Sequence, residues 1–481
     1  MKIIYTFFTK RAGVYRLLLL GLAFLLVASC RTTVSINYPE LIADLREDSL
    51  LVIKAVDIYP GEGTKLLKNY DVYIKGERIE HIRPASGQTD EGYEIIWGKG
   101  KTLLPGLIDT HVHLMSGGSA PWAKVSPSPV QNLHAWLFAG ITTVYDLGGV
   151  AEVTKPIKKN VKEDVVYGPD IFLTGAPTTV KNSHPIPALK ELNPWPASAF
   201  ISRNIYTVSD TSEAEELIAE VANLEVDYIK LVCDEIPPGT PHMTFEVMKA
   251  LVEAAHKRDL KVFVHIGSAE NAIHAARAGA DVLAHAVYRD KLTEEHVQIL
   301  KEEEVKMIFT ISGFENINDM YMKKYKPSPM DTLISPEPLL KPVTGDNASK
   351  MRKASVMFGL GHAIHHYVDI YQHNFDLLQA YDIPFLVGTD SPNYGAYPGS
   401  SLHEEMQSLV NYGYSKAEVL QAATSDAAHM FLEDPDFGTI KEGKLANLLL
   451  LDANPLENID NTQKINLVIK RGQVVERTFE K

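Results

Sequence analysis

The 481-residue chain has few cysteines, little positive charge and only one long apolar run. Its two cysteines, Cys30 and Cys233, are too few for a disulfide-stapled scaffold, so the fold must rest on a hydrophobic core. The formal charge is −14, and an acidic chain lacks the basic patch that a phosphate backbone requires. The sequence therefore predicts no nucleic-acid partner. With 45% hydrophobic residues, the composition is that of a globular protein with one large and one small domain.

The apolar run occupies residues 17–27 and follows a basic stretch. Such a run is too short for a membrane span and is typical of a secretory signal. The segment Val27-Ala-Ser-Cys30 resembles a bacterial lipobox, in which cleavage precedes the cysteine and the thiol is diacylated. We predict a signal peptide at 1–29, lipid on Cys30 and a tether at 30–47, which make the protein an exported, membrane-anchored lipoprotein. The alternative is a plain signal anchor with an incidental cysteine.

Short β-type runs separated by turn signals occur near both ends of the remaining chain. They include Leu51–Val56, Asp71–Lys75, Asn447–Asp452 and Leu467–Lys470. Isolated hairpins are marginally stable in water, so the two ends need a shared sheet. We predict one small β-sandwich domain built from residues 48–104 and 436–481.

Between these ends, residues 105–435 alternate between buried strand patterns and helical patterns. The eight predicted strand ends lie near residues 108–110, 143–146, 171–174, 227–230, 262–265, 281–285, 305–310 and 385–390. Helices are predicted over 212–223, 244–258, 269–278 and 293–303, among others. Eight such units predict a (β/α)₈ TIM-like barrel, although an open doubly wound sheet gives the same local alternation.

Two connections, at 175–211 and 311–349, are far longer than ordinary loops. Both follow the carboxyl ends of predicted strands, which is the face that carries the active site in a barrel of this kind. We expect these connections to shape a pocket or a lid.

Four histidines and one aspartate fall where predicted strands end. His111 and His113 alternate on one strand end, so their side chains point to the same side. His265, His285 and Asp390 end three other strands. Each residue alone has a plain alternative, such as a surface histidine or a turn-opening aspartate. Their joint placement on four of eight strand ends favours a metal site.

Lys230 ends a further apolar strand and points into the same region. A free ammonium would repel divalent cations, but an amine that reacts with carbon dioxide becomes a carbamate, a bidentate anion able to bridge two metals. The alternative is a snorkelling or salt-bridged lysine. In the company of the other ligands, we predict that Lys230 is carboxylated and bridges two divalent ions.

Several segments resemble the amidohydrolase superfamily, most of all its imidazolonepropionase-like and prolidase-like branch. Besides the strand-ending lysine they are PGLIDTHVH at 105–113, VHIGS at 264–268, LAHAVY at 283–288 and GTDSP at 388–392. The resemblance extends from residue 50 to the end of the chain and implies a metal-dependent hydrolase.

The resemblance also implies a role for each ligand. His111 and His113 would bind the first metal with Asp390, His265 and His285 would bind the second, and carboxylated Lys230 would bridge the two ions together with a hydroxide. Asp390 would take the proton of this nucleophile and pass it to the leaving nitrogen. Zinc is the expected ion, although the ligands also suit manganese and iron.

One-metal relatives, imidazolonepropionase among them, lack the bridging lysine and have a glutamate shortly after the histidine of the fifth strand. Here Lys230 is present, and Ile266-Gly-Ser268 follows His265. Both departures favour the two-metal, peptidase-like branch.

Tyr288 and His184 are further candidate catalytic residues. Tyr288 could donate a hydrogen bond to a developing oxyanion, with a core tyrosine as the alternative. His184 matches a histidine of relatives and could face the substrate, with a loop-surface histidine as the alternative. Arg289 either pairs with a substrate carboxylate or lies in an exposed salt bridge.

The leading functional hypothesis is hydrolysis of a carbon–nitrogen bond in a small molecule, namely the amide of a dipeptide or an N-acyl amino acid. Alternatives keep the site and change the substrate to a cyclic amide of the imidazolonepropionase type, or to a lactone or phosphoester. A different class is a non-catalytic, surface-anchored binding protein, against which the intact ligand set argues. The sequence is compatible with a homo-oligomer.

Overall fold

A computed structural model describes most of the chain beyond the predicted tether. The described residues are 49–87, 90–120, 128–192, 205–335, 337–341, 343–344, 350 and 367–477. The predicted signal peptide, tether and Cys30 lie outside them. Within these ranges, no helix has the length and apolar character needed to cross a membrane.

Strands from both ends of the chain share one eight-stranded sheet. They are β1 (Leu50–Ile58), β2 (Leu67–Lys75), β3 (Arg78–Pro84), β4 (Glu94–Trp97), β5 (Thr102–Pro105), β16 (Leu448–Leu451), β17 (Ile465–Lys470) and β18 (Gln473–Val475). The order is β18-β17-β16-β5-β1-β2-β3, and β4 also pairs with β1. The two ends meet where β16 pairs antiparallel with β5, with Leu450 opposite Leu103. A sheet shared by both ends is therefore present, while its folding into a sandwich stays a prediction.

Alternating apolar residues explain why these strands pair. Ile53 of β1, Leu103 of β5 and Leu448 of β16 belong to one buried hydrophobic cluster. Neither end of the chain supplies this cluster alone, so burial of apolar surface couples the two ends.

The middle of the chain forms two parallel sheets. A three-stranded sheet contains β6 (Leu107–Val112), β7 (Ile141–Asp146) and β8 (Asp170–Leu173), in that order. A seven-stranded sheet contains β9 (Thr178–Val180), β10 (Tyr206–Val208), β11 (Ile229–Val232), β12 (Val262–His265), β13 (Val282–Ala284), β14 (Lys306–Phe309) and β15 (Phe385–Val387). Its order is β10-β9-β11-β12-β13-β14-β15.

The eight predicted strand ends fall on β6–β8 and β11–β15, all of them parallel. Backbone hydrogen bonds connect the two sheets in two places. The Asp390 amide donates to the His111 carbonyl at 2.8 Å, and the Asp227 amide donates to the Leu173 carbonyl at 2.9 Å. Closure of the eight strands into a regular barrel stays a prediction from the sequence.

Helices alternate with the parallel strands. They are α1 (Pro129–Phe138), α2 (Ala151–Lys162), α3 (Ile186–Leu192), α4 (Ala214–Ala222), α5 (Phe245–His256), α6 (Ala269–Arg277), α7 (Glu294–Glu302), α8 (Ile311–Tyr321), α9 (Pro329–Ile334), α10 (Glu337–Leu340), α11 (Tyr367–Ala380), α12 (Ser400–Asn411), α13 (Lys416–Ala422) and α14 (Ser425–Ala428). The four helices predicted from periodicity are α4–α7. The starts of α5, α6 and α7 follow from side-chain caps, since Thr244, Ser268 and Thr293 each accept a hydrogen bond from the backbone of the first turn.

The two long connections contain secondary structure of their own. The connection at 175–211 includes β9, α3 and β10, and the one at 311–349 includes α8, α9 and α10. Because α8 begins two residues after β14 ends, it lies at the carboxyl edge of the parallel sheet.

Candidate active site

His111, His113 and Asp390, here called the first ligand set, meet at the carboxyl ends of β6 and β15. Asp390 Oδ1 lies 2.8 Å from His113 Nε2 and 3.4 Å from His111 Nε2. The two imidazole rings have centroids 5.3 Å apart. Asp390 has a φ of 60°, a conformation that most residues avoid and that is common at functional sites.

His265 and His285, here called the second ligand set, lie at the ends of β12 and β13. Nε2 of His285 is 2.9 Å from Nδ1 of His265. The other nitrogen of each ring has an oxygen partner: His285 Nδ1 is 2.6 Å from Thr310 Oγ1, and His265 Nε2 is 3.2 Å from Asp234 Oδ2. Each ring is thus held through one nitrogen and leaves the other nitrogen for a metal.

The two sets adjoin each other. The rings of His111 and His285 have centroids 4.8 Å apart. His111, His285 and Asp390 each offer one ligand atom, and these atoms all lie within 4.8 Å of one another. The structure therefore brings together the histidines and the aspartate that the sequence separates by up to 279 residues.

Lys230 belongs to the same cluster. Its side chain is buried, and within the described part of the chain its Nζ has no hydrogen-bond partner. Burial lowers the pKa of the Lys230 amine to about 7, although the charge of Asp390 opposes the shift. The pKa of His111 is lowered well below its usual value, first by burial and then by the charge of Lys230, so the two side chains share one electrostatic environment.

The cluster fits divalent metal ions. Neither ring nitrogen of His111 has a hydrogen-bond partner among the described residues, although both are buried. Burial also lowers the pKa of His265 to about 3, which keeps this imidazole neutral. Buried polar atoms without partners are rare, and neutral imidazoles are the form that binds metal.

A cavity of about 130 Å³ opens beside the cluster. His265, His285 and Asp390 form one wall. The remaining walls contain His184, Tyr288 and the apolar side chains Ile236, Phe314, Ile317 and Tyr394. Both long connections contribute to it: His184 comes from the first, and Phe314 and Ile317, on α8, come from the second.

His184 and Tyr288, the two further candidate catalytic residues, both line the cavity. The His184 ring has its centroid 5.0 Å from that of His265. The Tyr288 hydroxyl, however, donates a hydrogen bond of 2.7 Å to Asp234, so its proton is directed at this carboxylate.

A family model for the amidohydrolase family matches residues 102–324 and 349–475, most of the chain. The chain belongs to the amidohydrolase family. This membership identifies it as a hydrolase of carbon–nitrogen bonds, as the sequence predicts, and implies a TIM-barrel-like fold for the parallel sheets.

Relatives of this amidohydrolase are distant but extend along the whole fold. Imidazolonepropionase of Alkaliphilus metalliredigens (strain QYMF) is 23% identical over 452 residues, covering 85% of this chain and 91% of that protein. Ochratoxinase of Aspergillus niger is 22% identical over 454 residues, covering 88% and 85%. The crystal structure of a Xaa-Pro dipeptidase with bound methionine superposes with a TM-score of 0.70 at 23% identity, covering 89% of this chain and 100% of that one.

Asp234 is the site residue that sequence reasoning missed in this amidohydrolase. It is buried and contacts His265, Tyr288 and Arg289. The sequence does contain a signal for Asp234. Residues 230, 232 and 234 are every second residue, and such residues point to the same side of an extended chain, so Asp234 is expected on the side of Lys230. The partner of Arg289 is Asp234 at 2.8 Å, and this ion pair is largely buried, not exposed as the salt-bridge alternative supposed.

Proposed function

We propose that this amidohydrolase is a two-metal enzyme that hydrolyses the amide bond of a small substrate of the dipeptide or N-acyl amino acid type. The observation that carries the proposal is Lys230, a buried amine with a pKa lowered to about 7 beside the buried histidines. Near neutral pH much of such an amine is uncharged, which is the form that attacks carbon dioxide. The reaction forms an N–C bond to Nζ and releases one proton, leaving a carbamate anion.

Six side chains would hold the ions. They are His111, His113 and Asp390 for the first, His265 and His285 for the second, and the Lys230 carbamate for both. When bound, two zinc ions lower the pKa of a water molecule and stabilise developing negative charge, and manganese or iron would serve the same ligands.

Asp390 is the proposed proton carrier. Burial raises the pKa of its carboxyl, but the hydrogen bond to His113 and the charges of the nearby histidines lower it overall, well below the usual value. The Asn393 side-chain amide donates to Asp390 Oδ2 at 3.3 Å and orients the carboxylate. An ionised, oriented carboxylate can accept the proton of an attacking water and deliver it to the leaving nitrogen.

The cavity supports an apolar substrate group. Phe314, Ile317 and Ile236 line it, and their burial favours uncharged side chains. Arg289, next to the cavity residue Tyr288, is already paired with Asp234 and also donates to the Glu235 carbonyl at 2.7 Å. An amide flanked by an apolar side chain therefore suits the cavity better than a multiply charged substrate.

A cyclic amide is the second candidate substrate, because imidazolonepropionase is among the relatives. The presence of Lys230, and of Ile266-Gly-Ser268 after His265, favours the linear amide. A panel of dipeptides, N-acyl amino acids and cyclic amides, assayed with zinc-loaded enzyme, separates the two. Turnover of apolar dipeptides or N-acyl amino acids is expected, and turnover of cyclic amides alone would contradict the proposal.

Metal analysis tests the two-metal site itself. Wild-type enzyme saturated with zinc should hold two equivalents, and Lys230→Ala should lose at least one of them together with most activity. Lys306→Ala is the matched control, because Lys306 is a part-buried lysine whose Nζ instead donates to the Met430 carbonyl at 2.6 Å. Lys230→Ala protein with two equivalents and full activity would exclude the bridge.

We also propose that lipid on Cys30 anchors the enzyme to a bacterial membrane on the exported side. The support is the basic, apolar and small-residue pattern of residues 1–30. Labelled palmitate should enter the wild-type protein and Cys233→Ala, whose mutated thiol is buried, but not Cys30→Ala. Label retained by Cys30→Ala would contradict the anchor.

A further inference from the structure

Asp234 connects the second ligand set to the cavity wall. Its carboxylate is buried, and three side chains converge on it. Oδ2 accepts the Tyr288 hydroxyl at 2.7 Å and lies 3.2 Å from His265 Nε2, while Oδ1 lies 2.8 Å from an Arg289 guanidinium nitrogen. Arg289 compensates the charge, which matters because an unpaired buried carboxylate is strongly unfavourable.

The carboxylate determines the tautomer of His265. An ionised carboxylate only accepts hydrogen bonds, so a bond to His265 requires a proton on Nε2. In a neutral imidazole the other nitrogen then carries a lone pair. That nitrogen is Nδ1, which faces His285 Nε2 at 2.9 Å.

We propose that Asp234 is the positioning residue of the second ligand set: it holds His265 as the Nε2–H tautomer and presents Nδ1 to a metal, while the same carboxylate fixes the Tyr288 hydroxyl at the cavity wall. The inference rests on the proposed two-metal function. It assigns Asp234 a role through His265, not a contact with the reacting atoms.

Gly267 makes the close approach of Asp234 feasible. A Cβ at Gly267 would lie 2.6 Å from Asp234 Oδ2 and 2.7 Å from Oδ1, distances that force the carboxylate to move. Gly267→Ala therefore displaces the carboxylate without altering Asp234 itself. It provides a second variant that is independent of removing the buried charge.

The experiment measures zinc affinity by competition with a chelator, separately for the two equivalents. Asp234→Ala and Gly267→Ala should lower the affinity for the second zinc ion about 10- to 100-fold. Asp234→Asn should lower this affinity less, because asparagine keeps an acceptor oxygen. Asp170→Asn is the matched control, since Asp170 also pairs with an arginine, Arg471 at 3.0 Å, but has no histidine partner among the described residues. The control should bind both equivalents as wild type does.

Nitrogen NMR of ¹⁵N-histidine-labelled protein provides a readout that a purely structural role would not move. Zinc-loaded wild type should show His265 protonated at Nε2 and coordinated through Nδ1, with His265→Gln identifying the signals. Asp234→Ala should show mixed tautomers. If Asp234→Ala does not fold, Gly267→Ala, which keeps the carboxylate, decides the question.

Two failures are distinguishable. If wild type binds one zinc that survives His265→Gln, the two-metal function is wrong, and the role of Asp234 is overturned with it. If the wild type binds two zinc ions, but Asp234→Ala and Gly267→Ala bind the second ion as tightly as Asp170→Asn does, only the positioning role of Asp234 is overturned.

Discussion

The first and second ligand sets differ in what orients their rings. In the second set, Asp234 and Thr310 each hold one imidazole through a hydrogen bond. In the first set, His111 has no such partner in the described part of the chain. Glycine backbone instead packs beside both residues of this set: a Cβ at Gly388 would lie 2.9 Å from His111 Cβ, and one at Gly148 would lie 2.7 Å from His113 Nδ1.

One site thus combines two ways of orienting its histidine side chains. A ring held by a hydrogen bond depends on the chemistry of its partner, whereas a ring held by packing depends on the absence of side chains around it. We therefore expect loss of Asp234 or Thr310 to weaken zinc binding by the second set, and substitution of Gly148 or Gly388 to weaken zinc binding by the first.

The largest expected effect concerns Asp390, the member of the first set that we propose as the proton acceptor. Asp390→Asn keeps the shape of the side chain but removes the base, so kcat should fall about 10²- to 10⁴-fold. Steady-state kinetics on the preferred amide measure this, with Asp170→Asn as the control. A fall of less than about tenfold would assign proton transfer to another residue.

Thr310→Val tests the hydrogen-bonded set. The substitution is close to isosteric and removes the Oγ1 that lies 2.6 Å from His285 Nδ1, so zinc affinity of the second equivalent should weaken about tenfold. Thr154→Val is the matched control, since Thr154 is a buried threonine on α2 whose hydroxyl donates to the Val150 carbonyl and not to a histidine of the site. If both variants bind the second zinc ion with equal affinity, Thr310 does not orient His285 for metal binding.

Buried neutral histidine gives a pH dependence to the metal-free enzyme. Burial lowers the pKa of His184 to about 3 from an unfolded value near 6.5. Between these values the unfolded chain binds the extra proton, so stability is lost as pH falls below about 6.5, by at most about 1.4 kcal/mol per unit. His184→Asn should make the free energy of unfolding, measured with urea, depend less steeply on pH between 6.5 and 5. An unchanged slope would show that His184 does not cause this pH dependence.

Gly148→Ala should have the smallest effect. The added Cβ crowds His113, but this ring is about one-third exposed and can shift, so we expect destabilisation of about 1 kcal/mol. Only the first zinc equivalent should weaken. Gly87→Ala is the control, because a Cβ there would have no neighbour within 4 Å in the described part of the chain. Equal loss of both equivalents would contradict separate orientation of the two sets.

Sequence periodicity and strand position predict much of this site. His111, His265 and Asp390 follow predicted strands, and the alternation of apolar strands with amphipathic helices predicts that residues at such positions lie at one edge of the parallel sheets. The helices predicted over 269–278 and 293–303 are present as Ala269–Arg277 and Glu294–Glu302. Residue types in a local pattern carry this information.

Partnerships between distant residues are different. Nothing local indicates that Asp234 accepts from Tyr288, 54 positions away, or that α8 supplies Phe314 to the cavity. These contacts depend on how loops of different length pack, which no single-segment pattern encodes. The pairing of Arg289 with Asp234 was missed for the same reason.

The central claim is that Lys230 bridges two metal ions. Anomalous diffraction at the zinc edge, from crystals of zinc-loaded enzyme grown in the presence of bicarbonate, tests it most directly. We expect two anomalous peaks, one beside His111 and His113 and one beside His265 and His285, with carboxylate density on Lys230 Nζ between them. A single peak, or two peaks with an unmodified Lys230 amine, would contradict it.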